Sequence, residues 1–163
     1  MQVFINERPV RNGSSEQNRH DILIVNYIDT IKSETEVLTT KKIITMKKVL
    51  ILINDAPYGT EKAYNALRLA MQIQKDYEGT DLCVFLMADA VTCALPNQNT
   101  PNGYYNIERM LKGVLMKGGK VKLCGSCADA RGLTEVKLAE GAELSTMKEL
   151  TQLTMESDKM ITF

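Results

Sequence analysis

Several features that would point to a familiar class of protein are absent from this sequence. Its 163 residues contain a single histidine, and its acidic and basic side chains balance at 20 each. With no net charge, the chain has no overall field that would attract nucleic acid or an anionic membrane. No apolar run resembles a secretion signal or approaches the length that spans a bilayer. We therefore predict a cytoplasmic protein with mostly reduced cysteines, no membrane contact and no direct binding of nucleic acid.

The common cofactor and metal motifs are also missing. Neither the G-x-x-x-x-G-K-[ST] motif nor the G-x-G-x-x-G motif occurs. Cys124 and Cys127 have the spacing of half a zinc site, but the sequence offers no second pair, because Cys83 and Cys93 lie ten residues apart. We expect neither a metal nor a cofactor.

The hydrophobic fraction of 44% is sufficient for one domain with an ordinary core. Residues 1–45 differ from the rest, because they combine polar clusters with no sustained periodicity. Two interpretations stay open: an N-terminal extension that is poorly ordered, or a segment upstream of a natural start at Met46. The run Ile22 to Ile28 is a candidate for pairing with a sheet edge. Residues 46–163 form the predicted domain.

From residue 46 onward, buried strands alternate with amphipathic helices. Continuous apolar runs indicate strands covered on both faces of a parallel sheet, and apolar residues at helical spacing indicate helices. Thr60 is expected to cap the first helix, and Thr146 with Glu149 forms a capping box for the last. Residues 133–141 stay ambiguous between a short helix and an irregular segment. The predicted strands are residues 49–53, 82–87, 120–123 and 159–163, and the predicted helices are residues 60–77, 88–95, 105–115 and 146–157. This alternation predicts an α/β fold with a mostly parallel sheet of four to five strands.

Parallel sheets bind ligands at the carboxyl ends of their strands, so the loops after the first three strands should share one edge. Asp55 could instead be a turn residue and Asp89 a helix cap, and for Cys93 we favour packing in the core. The predicted polar lining of this edge consists of Asn54, Asp55, Tyr58, Asp89, Cys93, Cys124, Cys127 and Arg131. Of these, Asn54, Asp55, Tyr58 and Asp89 are the predicted substrate-binding residues.

The stretch Lys122 to Gly132 combines two thiols, a cation and flexible backbone. Cys124 follows a short apolar strand, and a thiolate becomes more available when a helix N-terminus or a cation such as Arg131 lies nearby. Loop amides can also form a nest that favours an anion. The alternative is a pair of ordinary buried cysteines, since free cysteine is often buried. We predict sulfur chemistry with Cys124, Cys127 and Arg131 as catalytic residues.

Five blocks of the sequence, in order, resemble the DsrE/DsrF-like family, most closely its YchN branch. The blocks are Asn54-Asp-Ala-Pro-Tyr-Gly59, Phe85-Leu-Met-Ala-Asp-Ala-Val-Thr92, Gly103-Tyr-Tyr-Asn-Ile107 with Met110-Leu111, Lys122-Leu-Cys-Gly-Ser-Cys-Ala-Asp-Ala-Arg-Gly132 and Asp158-Lys-Met-Ile-Thr-Phe163. The resemblance covers residues 46–163 and implies a three-layer flavodoxin-like or Rossmann-like fold without a bound flavin. It also implies a homotrimer or homohexamer.

The resemblance further implies a sulfurtransferase-like carrier. Relatives in this family hold sulfur as a cysteine persulfide and pass it between a protein donor and a protein acceptor. Cys124 occupies the position expected to be active, with Arg131 beside it, and Cys127 is either a resolving thiol or structural. Two alternatives stay open: a thiol-disulfide oxidoreductase that uses Cys124 and Cys127, and a module that binds a small anion without catalysis.

Overall fold

The computed structural model describes residues 26, 27, 30 and 47–163. Asn26, Tyr27 and Thr30 are helical, and the Thr30 hydroxyl donates a hydrogen bond of 2.8 Å to the Asn26 carbonyl. The predictions for residues 1–45, namely poor order, an upstream start and edge pairing of Ile22 to Ile28, otherwise lie outside the described residues. The boundary at residue 46 therefore stays a prediction.

Strands and helices alternate along the rest of the chain. The strands are β1 (Lys48–Ile53), β2 (Asp81–Leu86), β3 (Lys120–Cys124), β4 (Ala142–Ser145) and β5 (Lys159–Thr162). The α-helices are α1 (Lys62–Asp76), α2 (Ile107–Met116), α3 (Gly125–Asp129) and α4 (Met147–Glu156), and Ala88–Ala94 is a 3₁₀ helix.

The five strands form one parallel sheet in the order β4-β3-β2-β1-β5. Strand order advances from β1 to β4 in one direction and then reverses to reach β5. Right-handed crossovers therefore place α1 and α2 on one face and α4 on the other. The predicted α/β fold with its parallel sheet is confirmed.

The core lies along the two central strands. Five of the six residues in β1 and in β2 are buried, and Ile51 and Val84 are completely inaccessible to solvent. Leu67 of α1 and Leu111 of α2 are also fully buried. A strand covered on both faces needs apolar side chains in both directions, which explains why these runs do not alternate.

The structure corrects three details of the expected elements. Thr60 is not the N-cap residue of α1, which is Glu61 and makes no side-chain cap; the Thr60 hydroxyl donates to Asp55 at 3.0 Å and accepts only a long hydrogen bond, 3.5 Å, from the Lys62 amide. The residues directly after Cys124, expected as a loop, form the short helix α3. The ambiguous segment is followed by a fourth strand that the sequence did not reveal, β4, in which Ser145 alone is buried.

The capping box at the start of α4 is only half formed. The Glu149 amide donates to the Thr146 hydroxyl at 3.2 Å, as expected. The Glu149 carboxylate does not return to the Thr146 amide but accepts from the Ser145 hydroxyl at 2.7 Å and pairs with Lys122 at 3.1 Å. This helix is therefore tied to β3 across the sheet face as well as capped.

Candidate functional site

Cys124 lies where a strand ends and a helix begins. It is the last residue of β3 and the N-cap of α3, and its exposed fraction is 3%. The next residue, Gly125, has little room for a side chain, because a Cβ there would lie 3.0 Å from the Ser145 carbonyl oxygen and the backbone would have to shift by a few tenths of an ångström. Glycine thus allows α3 to start against the edge strand β4. Cys127 follows one turn later and is partly exposed.

The surroundings of Cys124 favour its thiolate. Its sulfur lies 3.3 Å from the Ser126 hydroxyl oxygen. Burial raises the pKa of Cys124, but hydrogen bonds from Ser126 and Cys127, through side chains and backbone amides, outweigh burial and hold the pKa below the ordinary value of a thiol. A thiol with a lowered pKa supplies more of the nucleophilic thiolate at neutral pH.

Cys127 experiences a different balance. Burial and the hydrogen bond to Cys124 raise the pKa of Cys127, while the Ala88 amide and the charge of Arg131 act in the opposite direction without reversing the shift. The Ala88 amide donates to the Cys127 sulfur at 3.3 Å. Ala88 has a φ of 49°, in the left-handed region that alanine rarely adopts. Such strain is found where the surrounding structure enforces it, commonly at functional sites.

Arg131 connects the two loops that follow β2 and β3. Its Nη2 and Nε donate to Oδ1 of Asp89 at 2.6 and 3.1 Å, and its Nη1 donates to the Cys127 carbonyl at 3.0 Å. The cation was expected beside the anion of Cys124. The structure instead places it against Cys127. Asp89 is not the cap of the 3₁₀ helix, whose N-cap is Met87.

The residues from the loop after β1 are held by other partners. Asn54 donates from its backbone and side-chain nitrogens to the Phe163 carbonyl, at 3.0 and 3.4 Å. The Asp55 carboxylate accepts from Lys62 at 3.2 Å and from Thr60 at 3.0 Å, and these hydrogen bonds lower the pKa of Asp55. Asn54 thus joins the ends of β1 and β5, and Asp55 closes its own loop.

Tyr58 faces the long loop before α2. Its hydroxyl donates to Oε1 of Gln98 at 2.6 Å, and its ring lies 6.0 Å from the ring of Tyr105, centroid to centroid. The structure therefore brings Asp89, Cys124, Cys127 and Arg131 into one cluster, whereas the side chains of Asn54, Asp55 and Tyr58 form their hydrogen bonds outside it. Whether Asn54, Asp55 and Tyr58 contact a substrate stays a prediction.

The two remaining cysteines belong to the core. Cys83 and Cys93 are buried, and burial raises the pKa of each to about 12. The Cys93 sulfur makes one long contact, to the Asp55 carbonyl at 3.8 Å. Core packing, the interpretation favoured for Cys93, agrees with this placement. Their thiols are therefore unreactive at neutral pH.

Two kinds of feature are absent from residues 26, 27, 30 and 47–163. No group of three or more histidine, cysteine, aspartate or glutamate side chains is arranged to hold a metal ion in this part of the chain. None of the helices that the structure describes is both long enough and apolar enough to cross a bilayer.

Sequence reasoning missed two contributors to the cysteine cluster. Ser126 is not among the residues predicted for the site, although a hydroxyl two residues after a thiol at a helix start is a usable signal. Ala88 acts through its backbone amide and its φ angle. The identity of the alanine side chain does not predict that role.

Comparison with known proteins identifies relatives that match the described domain. The model of the DsrE/DsrF-like family matches residues 47–163. Protein YchN of Escherichia coli K12 is 43% identical over 118 residues, which cover 72% of this chain and 100% of that protein. An uncharacterized protein of Methanocaldococcus jannaschii is 42% identical over 116 residues, which cover 71% of this chain and 99% of that protein.

Comparison with solved structures also identifies proteins of the same fold. The crystal structure of the ychN protein from E. coli superposes with a TM-score of 0.70 at 43% identity, covering 72% of this chain and 100% of that one. A conserved protein of unknown function from Bacteroides thetaiotaomicron has a TM-score of 0.56 at 15% identity, covering 72% of this chain and 95% of that one. At such low identity the second likeness shows the fold alone.

Proposed function

Because this chain belongs to the DsrE/DsrF-like family, we propose that it carries sulfur, with Cys124 holding a sulfane sulfur as a persulfide. The family match bears out the resemblance seen in the sequence and suggests a role of the sulfur-relay type. The persulfide itself is our proposal. The observation that carries it is the environment of Cys124, a nearly buried thiol with a lowered pKa at the end of a central strand.

Loading requires only the Cys124 thiolate and a donor that contains sulfane sulfur. The thiolate attacks the outer sulfur of a persulfide R–S–SH, a new S–S bond forms, and R–S⁻ leaves with the electron pair of the broken bond. The product is Cys124–S–SH. The lowered pKa of Cys124 supports this step because the attacking group is already ionised in a larger fraction of molecules.

Delivery reverses the same chemistry. A thiolate of an acceptor attacks the outer sulfur of Cys124–S–SH, and Cys124 leaves as the thiolate. The hydroxyl of Ser126, 3.3 Å from the sulfur, is placed to stabilise that leaving group. No electrons are gained or lost overall, so neither step needs an oxidant or a cofactor.

A thiol-disulfide oxidoreductase is the second candidate. It is favoured by the spacing of Cys124 and Cys127 within one turn at the start of α3 and by the opposite directions of their pKa shifts. Such a pair could cycle between dithiol and disulfide. A carrier needs only Cys124, whereas an oxidoreductase needs both thiols. Replacing Cys127 therefore separates the two.

We further propose that the protein works as a homotrimer or homohexamer with a protein as sulfur acceptor. The described domain leaves both outer strands of its sheet, β4 and β5, without a second neighbour. Leu144 of β4 and Met160 of β5 are also exposed. Exposed strand edges with apolar side chains are commonly covered by other subunits. Light scattering on the eluted peak of a sizing column measures the number of subunits.

The test of the carrier is intact-mass spectrometry after incubation with a sulfane-sulfur donor. Wild type and Cys127→Ser should each gain one sulfur atom that dithiothreitol removes, and Cys124→Ser should gain none. Loss of the gain in both cysteine variants would favour the oxidoreductase. No gain in any of the three proteins would contradict the carrier.

A further inference from the structure

Access to the two sulfurs differs. Cys124 has an exposed fraction of 3%, whereas Cys127 is partly exposed. A cysteine on a folded acceptor protein must bring its sulfur within bonding distance of the sulfane sulfur. The backbone attached to that cysteine needs space at the site as well. With an exposed fraction of 3%, Cys124 offers such a partner very little surface. The burial of Cys124 therefore raises the question of how sulfur leaves.

We propose that Cys127 is a second sulfur-carrying residue, which takes the outer sulfur from the Cys124 persulfide and presents it to a protein acceptor. This inference rests on the proposed function of Cys124 and assigns Cys127 a role other than a resolving or structural thiol. The small exposed fraction of Cys124 also favours a small sulfur donor, such as inorganic polysulfide, over a protein donor.

Each sulfur has its own group of anion-stabilising partners, as the exchange requires. Cys124 has the Ser126 hydroxyl and the start of α3. Cys127 has the Ala88 amide at 3.3 Å, aimed by a strained backbone, and the nearby charge of Arg131. In a transfer between the two sulfurs, each serves in turn as nucleophile and as leaving thiolate. A purely structural Cys127 would need no donor on its sulfur.

The transfer balances without a co-reactant. The Cys127 proton moves to the terminal sulfur of the Cys124 persulfide anion, Cys124–S–S⁻, which gives Cys124–S–SH and the Cys127 thiolate. That thiolate attacks the terminal sulfur, one S–S bond forms, the S–S bond to Cys124 breaks, and Cys124 leaves as the thiolate. The product is Cys127–S–SH. The number of electrons on sulfur is unchanged overall.

The environments of the thiols set the direction of the transfer. The pKa of Cys124 is lowered and that of Cys127 is raised. A thiol of lower pKa is the better leaving group, so sulfane sulfur should move from Cys124 to Cys127. The buried thiol thus captures sulfur, and the more exposed thiol delivers it.

Time-resolved mapping of the sulfur by tandem mass spectrometry tests the transfer. The protein is mixed briefly with inorganic polysulfide, blocked with iodoacetamide and digested with trypsin, which releases Leu123 to Arg131 with both cysteines in one peptide. In wild type, sulfur should appear first on Cys124 and then on Cys127. In Cys124→Ser, Cys127 should gain no detectable sulfur during the brief mixing, because its raised pKa leaves little thiolate to react with polysulfide. The buried Cys83 and Cys93 are internal controls that should stay unmodified.

A matched pair of acceptors tests delivery. Loaded wild type should pass sulfur to 2-mercaptoethanol and to a polyethylene glycol that carries a single thiol. Loaded Cys127→Ser, with Cys127→Ala as a second variant, should unload to 2-mercaptoethanol but should react with the bulky thiol more slowly, by about tenfold or more, because access limits exchange.

Three results would overturn the transfer. Sulfur that stays on Cys124 in wild type, with equal unloading of the Cys127 variants to both thiols, would leave a carrier with one working cysteine. A disulfide between Cys124 and Cys127 with release of sulfide would make Cys127 a resolving thiol. Sulfur on neither residue would contradict the carrier itself.

Discussion

Arg131 directs two nitrogens at a single oxygen of Asp89, with Nη2 at 2.6 Å and Nε at 3.1 Å from Oδ1. Its third contact, from Nη1, is to the Cys127 carbonyl. The pair joins the segment after β2 to the turn that follows α3, across 42 residues of sequence. Asp89 is 68% exposed, so the ion pair itself should stabilise the fold by no more than about 1 kcal/mol. For the chemistry, the relevant effect of Arg131 is that its charge lowers the pKa of Cys127.

We predict that Arg131→Gln slows alkylation of Cys127 more than alkylation of Cys124. The charge of Arg131 lowers the pKa of Cys127, so its removal raises that pKa and reduces the thiolate present at a given pH. For a partly exposed charge we expect an effect of about two- to fivefold on the rate. Iodoacetamide kinetics in the Cys124→Ser and Cys127→Ser backgrounds separate the two thiols.

The matched control for Arg131 is Arg68→Gln. Arg68 is also an arginine of the described domain, but its guanidinium lies 5.3 Å from the ring centroid of Tyr64. This substitution should leave both alkylation rates unchanged. A larger effect of Arg131→Gln on Cys124 than on Cys127 would show that the cation acts where the sequence first suggested.

Ser126→Ala should reduce the reactivity of Cys124 at neutral pH. The Ser126 hydroxyl lowers the pKa of Cys124, so its loss moves the midpoint of the pH–rate profile of alkylation to a higher pH. At pH 7 less thiolate is then present, and since a hydrogen bond to a charged group contributes about 1.5–3 kcal/mol, alkylation should slow by on the order of tenfold. Ser126→Thr keeps the hydroxyl and should preserve the wild-type profile. Identical profiles for Ser126→Ala and wild type would remove Ser126 from the site.

The strained backbone of Ala88 makes an unusual stability prediction. Glycine adopts a φ of 49° without the cost of about 1–2 kcal/mol that alanine incurs, at an entropic cost of about 0.5–1 kcal/mol. Ala88→Gly should therefore change the free energy of unfolding by between about 0 and +1.5 kcal/mol. Ala90→Gly, two residues on in the same 3₁₀ helix, should lose about 1 kcal/mol. Urea denaturation compares the variants, and equal losses at both positions would argue against strain at Ala88.

Tyr58→Phe tests whether the loop after β1 takes part in the chemistry. The substitution removes the hydrogen bond to Gln98 and the longer one, 3.4 Å, that the Tyr58 hydroxyl accepts from the Ile107 amide, so the free energy of unfolding should fall by about 1–2 kcal/mol. Because the partners of Tyr58 lie in the loop before α2 and at the first residue of α2, the rate of sulfur loading should stay at the wild-type value. A slower loading rate at unchanged stability would instead show that Tyr58 contacts the donor.

The central strands were predictable from the sequence because of their burial. A strand covered on both faces requires a continuous apolar run, and β1 and β2 provide one. The edge strand β4 has one neighbour, and Ser145 is its only buried residue. Helix α3 has five residues, too few to show a period. Both elements are set by contacts with the rest of the sheet rather than by a local pattern.

The site was predictable as far as the local motif extends. Cys124 and Cys127 stand out by their spacing, and strand order places Asp89 at the same edge. The partner of Arg131 was not predictable, because proximity in sequence suggested Cys124 while a contact across 42 residues selects Asp89. The contribution of Ala88 is a backbone donor held at a positive φ, which no side-chain pattern records.

The most direct test of a sulfur-carrying Cys124 uses a persulfide donor whose outer sulfur is isotopically labelled. After incubation and removal of the donor, the label bound per chain is counted before and after treatment with dithiothreitol. The account predicts label on wild type and on Cys127→Ser, all of it released by dithiothreitol, and none on Cys124→Ser. Equal labelling of Cys124→Ser and wild type, or no label on wild type, would contradict it.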